Sequence, residues 1–87
     1  MAEHKRTEVE DRLARIEGHL HAVHRMVAAD RSYPDVVRQV VAVRASLDAV
    51  VQVIVDDLVE ECIQPPSKRR AAGTAARQLQ EVVASAL

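Results

Sequence analysis

Aromatic residues are almost absent from this sequence, which has one tyrosine, no tryptophan and no phenylalanine in 87 residues. Its core must therefore be built from Val, Leu, Ile and Ala, and so short a helical chain often completes its core by oligomerising. There are also only two glycines and one cysteine. A glycine-rich phosphate loop and an intramolecular disulfide are thereby excluded. Since no nucleophile with an adjacent base is visible either, we predict that the protein is not an enzyme.

The chain shows neither a signal peptide nor an apolar run long enough to span a bilayer, which predicts a cytoplasmic protein without a membrane partner. A single cysteine is consistent with that reducing compartment. The formal net charge is only −1, but the charges are unevenly distributed. Residues 32–64 hold two basic against six acidic side chains, whereas residues 65–87 hold four against one. Any attraction to a polyanion must therefore come from local clusters of basic residues.

Apolar spacing predicts three helices in one domain, and therefore an all-α fold. The first is expected over about 7–29, because Thr7 and Glu10 have capping-box spacing. The second is expected over about 34–63, beginning at Pro34, which suits the first turn of a helix. A basic linker, 64–73, contains Lys68, Arg69 and Arg70 and precedes a third helix over about 74–86. In the first helix, apolar residues recur at steps of three and four, which is typical of a helix packed lengthwise on another: Val9, Leu13, Ile16, Leu20, Val23 and Val27.

The second helix is apolar around much of its circumference. Its stripe at steps of three and four is accompanied by a second set of apolar residues, namely Val37, Val41, Val53, Val55 and Val59. A helix of this kind is buried from more than one side. One partner helix and one short third helix cannot cover it, so we predict a helical dimer at least.

The pattern R-L-x-R-I-x-G, followed by Met, a turn, D-V-x-x-Q and A-x-R, resembles the copper-sensing repressor family, whose relatives sense nickel or cobalt, formaldehyde or sulfane sulfur. The resemblance covers about residues 7–63 without gaps. It implies a long antiparallel helix pair with a short third helix, a dimeric four-helix bundle and assembly to a tetramer. It also implies a DNA-binding transcriptional repressor that an inducer releases from its operator. The matching residues are Arg12, Leu13, Arg15, Ile16, Gly18, Met26, Asp35, Val36, Gln39, Ala42 and Arg44, and His19 replaces the usual Gln.

The resemblance assigns contact with double-stranded DNA to Arg12 and to the nearby Arg15. These arginines are three residues apart and therefore share one face of the helix. Arg44 matches a further family position, and Lys5 and Arg6 extend the basic strip. The alternative is that Arg12 and Arg15 only solvate the helix and pair with the acidic residues around them, which are Glu8, Asp11 and Glu17.

The family's inducer ligands fall on Tyr33, Leu58 and Cys62, so only Cys62 retains a usual ligand. Copper prefers thiolates with imidazole, and this set is a poor site for it. Three alternatives remain open: Cys62 as a lone redox or electrophile sensor, a transition metal bound by His21 and His24 with His4 or Cys62, or loss of sensing. The inducer is therefore left unidentified. A rival interpretation of the whole chain is a helical protein–protein interaction module that binds no DNA.

Overall fold

The computed structural model describes residues 3–64 and 72–86. They form three helices, α1 over Glu3–Ala28, α2 over Tyr33–Ile63 and α3 over Ala72–Ala86. The all-α prediction is confirmed, since the described residues contain no strand. α1 and α2 are joined by a short turn and pack against each other, and α3 packs on α2. No helix in this part of the chain is long and apolar enough to cross a membrane.

The start of α1 differs from the start that the sequence predicted. The helix begins at Glu3, four residues before Thr7, so the capping-box prediction is wrong. Glu-His-Lys-Arg contains no helix breaker, and the Lys5 Nζ to Glu8 Oε2 ion pair, at 3.7 Å, supports this first part of the helix. Pairs of this kind three residues apart stabilise a helix modestly. The capping-box spacing of Thr7 and Glu10 therefore does not mark the start of α1.

The turn between α1 and α2 is built from specific caps. Asp30 adopts a left-handed conformation with φ of 58°, and the Arg31 N–H donates to the Met26 carbonyl at 3.0 Å. These two features are typical of a helix end at which a left-handed residue lets the following backbone N–H groups donate to the last carbonyls of the helix. Ser32 then caps α2 by accepting from the Asp35 N–H at 3.4 Å, and Pro34 lies in the first turn. The predicted range of α2, 34–63, differs from the observed one by one residue.

α3 begins at Ala72, two residues before the predicted Thr74. Its Ala75 is buried, and so are Asp57 and Leu58 in the last third of α2. The predicted linker residues Lys68, Arg69 and Arg70 lie outside the described residues.

The core between α1 and α2 uses only every second position of the predicted apolar stripe. Ile16 and Val23 are buried against Val43 and Val50, with Val9, Val36 and Ile54 packed at the edge. The alternate positions of α1 remain exposed: Leu13 by 39%, Leu20 by 55% and Val27 by 54%. One stripe in the sequence thus divides into a buried row and an exposed row.

α2 also presents an apolar face that no other described residue covers. Tyr33 is 81% exposed at its start. The other exposed apolar residues of this face are Val37, Val40, Val41, Leu47, Val51 and Val59. The prediction that one partner helix and α3 cannot cover α2 is confirmed.

Candidate nucleic-acid interface

A groove runs between α1 and α2 on the side away from the exposed apolar face. Arg12, Arg15 and His19 line it from α1, with Ile16 at its base. The opposite wall consists of three small residues of α2, which are Ala45, Ser46 and Ala49. The cavity measures about 380 Å³. Steps of three and four residues place the two arginines and His19 on one face of α1, as the sequence predicted. We call this feature the arginine groove.

Arg12 is held by Glu8 at the edge of the arginine groove. Its Nε and Nη2 donate to Glu8 Oε1 at 3.3 and 3.2 Å, and the Arg12 side chain is 36% exposed. The pairing with an acidic neighbour that the alternative expected is therefore observed for Arg12, whereas a purely structural role for this arginine stays a prediction. Ion pairs at this level of exposure contribute little to stability, so the guanidinium can exchange Glu8 for another anion at small cost.

Arg15 differs from Arg12 in having no such partner. It is exposed, and no ion pair joins it to any residue that the structure describes. Asp11 and Glu17, its other expected partners, also form none there. The positive charge of the arginine groove therefore depends most on Arg15.

A hydrogen bond connects α1 and α2 next to the groove. His19 Nε2 lies 2.7 Å from Gln39 Oε1, twenty residues along the chain. Because an amide oxygen only accepts, Nε2 is the ring nitrogen that carries the hydrogen. Sequence reasoning missed this contact, although Gln39 belongs to the family pattern, because the register between two helices is not visible from one-dimensional spacing.

The remaining predicted DNA contacts lie at different places. Lys5 is half-buried. It lies on the same face of α1 as Arg12 and His19, because the three residues follow one another at intervals of seven. Arg6 is exposed, about 100° further around α1. Arg44 is exposed and lies about 200° around α2 from Ser46. One chain therefore does not bring Arg44 to the arginine groove.

The three inherited ligand positions do not meet within one chain. Tyr33 is 81% exposed and Leu58 is buried, while Cys62 is half-buried. Tyr33 and Cys62 lie at opposite ends of α2, about 44 Å apart along its axis. Leu58 is an apolar packing residue that lines a cavity of about 360 Å³ with Ile54 and Val82. No group of three His, Cys, Asp or Glu side chains that could hold a metal occurs among the described residues of one chain.

His21 and His24 are exposed on the other side of α1, where they line an open groove with Glu17 and Gly18. The structure does not bring Cys62 to this pair. His19, next to them on α1, contacts Gln39, which lies about 35 Å from Cys62 along α2. That part of the histidine hypothesis is wrong for a single chain, and the side chain of His4 lies outside the described residues.

The helix pair, the short third helix and the arginine groove together define a small helical protein with a basic groove on one face. The family model described as "Metal-sensitive transcriptional repressor" matches residues 5–85, and the chain belongs to this family. Its structure is similar to that of "The nickel-responsive transcriptional regulator InrS", with a TM-score of 0.77 and 37% sequence identity. The match covers 93% of this chain and 91% of that chain. Comparison with curated proteins finds no match. The resemblance to the copper-sensing repressor family, based on matching residues between Arg12 and Arg44, is thereby confirmed.

Proposed function

We propose that this repressor binds the backbone of duplex DNA through Arg12 and Arg15 in the arginine groove. The observation that carries the proposal is the convergence of two guanidinium groups and His19 on one cavity, with Arg15 unpaired among the described residues. Phosphate contacts of this kind supply affinity that falls steeply with salt. The net charge of −1 makes this local cluster, rather than the chain as a whole, the source of attraction.

We further propose that the working form is an oligomer, with two chains in a four-helix bundle and dimers pairing into a tetramer. The molecule is a slab of 56 × 25 × 12 Å, only one layer of helices thick. Its accessible surface is 6517 Å², whereas a compact protein of this mass exposes about 5,100 Å². The excess exceeds the roughly 800 Å² that each partner buries in a standard interface. The exposed rows of α1 and α2 supply apolar surface for it, and symmetry would then repeat the arginine groove.

We propose that the inducer acts without a joint site formed by Tyr33, Leu58 and Cys62. Cys62 is the one soft ligand that remains, at the end of α2. A thiol-reactive compound needs this residue alone, whereas copper or another transition metal needs further ligands that Tyr33 and Leu58 do not provide in the usual way.

Fluorescence anisotropy tests DNA binding directly. A labelled duplex from the region upstream of the protein's own gene is titrated at several salt concentrations, with wild-type protein and with the variant Arg12→Glu, Arg15→Glu. We expect tight wild-type binding with a steep salt slope, and loss of binding in the variant. Arg77→Glu is the matched control, since Arg77 is exposed on α3 and the change in net charge per site is the same.

Size-exclusion chromatography with light scattering separates this proposal from the interaction module. Both arginines lie outside the core between α1 and α2, so the variant should assemble like the wild type. If wild-type protein assembles but does not bind DNA even at low salt, the DNA-binding proposal fails and the interaction module is favoured.

A further inference from the structure

The α2 wall of the arginine groove is built from the smallest side chains available to a helix. Ala45, Ser46 and Ala49 face Arg12 and Arg15 across the cavity. We propose that these three residues are steric determinants of DNA binding, because they leave the space that a phosphate and its sugar enter. The inference rests on the proposed function and extends it from the basic wall of the groove to the uncharged one.

The wall has no electrostatic role of its own. The Ser46 hydroxyl donates to the Ala42 carbonyl at 3.1 Å, so its only proton is used within α2. The two alanines carry no polar group at all. The attraction for DNA phosphates therefore comes from α1, whereas α2 leaves open space beside the arginines.

The space is fixed by the packing around it. Ile16 lines the groove and is buried against Val43 and Val50, and the 2.7 Å bond between His19 and Gln39 joins α1 to α2 beside it. The groove is therefore present before DNA arrives, and a preformed site loses less conformational freedom on binding.

Neither helix formation nor core packing explains the small residues. Leucine forms helices almost as well as alanine. Ala45 is exposed and Ala49 is half-buried, so a larger side chain at either position would project into the groove rather than into the core. What the small side chains preserve is open volume next to the arginines.

The test compares Ala45→Leu and Ala49→Leu with wild-type protein in the same anisotropy experiment. We expect each variant to lose about tenfold or more in DNA affinity, with unchanged helical circular dichroism and elution volume. Ala84→Leu, on an exposed position of α3, should bind like the wild type. If Ala49→Leu changes thermal unfolding, Ala45→Leu decides the question, because its position is exposed.

Wild-type affinity in both leucine variants would overturn the inference, because DNA would then contact only the tips of the arginines. An equal loss in Ala84→Leu would overturn it too. These outcomes differ from failure of the proposed function, in which wild-type protein does not bind the duplex at all.

Discussion

The arginine groove and the positions on α2 that the family resemblance assigns to the inducer are two regions of one helix pair with different chemistry. In the groove, Arg12 and Arg15, the proposed DNA contacts, converge on one cavity. Among the proposed inducer positions, Tyr33 is exposed and Leu58 is buried in apolar packing. We infer that DNA binding and inducer recognition are separable in this fold, since the two sets occupy different residues and different faces.

The largest effect should come from reversing the charge of the groove. We expect Arg12→Glu with Arg15→Glu to weaken DNA binding about 100-fold or more, because two phosphate contacts are lost and two repulsions are added in each chain. The salt slope of the anisotropy titration should become shallower as well. Comparable binding by this variant and the wild type would remove the distinction between the two regions.

Truncating Leu58 should affect stability and leave the groove intact. Leu58→Ala removes a buried side chain between α2 and α3, at a cost of about 2–3 kcal/mol in the free energy of unfolding. Val83→Ala, at a position 47% exposed on α3, is the control and should cost much less. Chemical denaturation measures both variants. A Leu58→Ala protein as stable as the wild type would show that this position has not become a packing residue.

Removing the His19–Gln39 hydrogen bond between α1 and α2 should have a moderate effect on DNA affinity. Gln39→Leu leaves His19 Nε2 without its acceptor, and we expect affinity to fall by about three- to fivefold, close to the value of one hydrogen bond. Gln52→Leu is the control, because Gln52 donates to Asp56 within its own helix, at 2.7 Å. Equal losses in both variants would mean that the bond between α1 and α2 does not position His19.

The smallest effect is expected from the cysteine. Cys62→Ala should leave uninduced DNA affinity unchanged within about twofold, because Cys62 lies far from the groove along α2. Any release of DNA by a thiol-reactive compound should disappear in this variant. Release that persists in Cys62→Ala would place the inducer site elsewhere.

Much of the fold could be predicted from apolar spacing. The valine-rich α2 was expected to be a helix, and its start at Ser32 and Pro34 was readable from cap chemistry. The start of α1 was not, because Thr7 has the spacing of a cap but sits in a run of residues that continue a helix. Nor could spacing show that Ile16 would be buried while Leu20 stayed 55% exposed, because both belong to the same stripe.

The site was only half predictable for the same reason. Arg12 and Arg15 could be placed on one face from their separation, but the groove also needs a second helix. Ala45, Ala49 and the partner of His19 depend on the register between α1 and α2, which long-range packing determines. A strip of small residues at helical spacing, beginning at Ala42, was the signal that could have indicated an open wall.

We infer that DNA binding has been kept in this chain while the family's metal site has been lost. The decisive test is anisotropy of wild-type protein on its own upstream DNA, with and without Cu(I) or Ni(II) at micromolar concentration. We expect tight, salt-sensitive binding that neither metal changes. Release of the DNA by either metal would contradict it, since Cys62 would then have to bind that metal with ligands other than Tyr33 and Leu58.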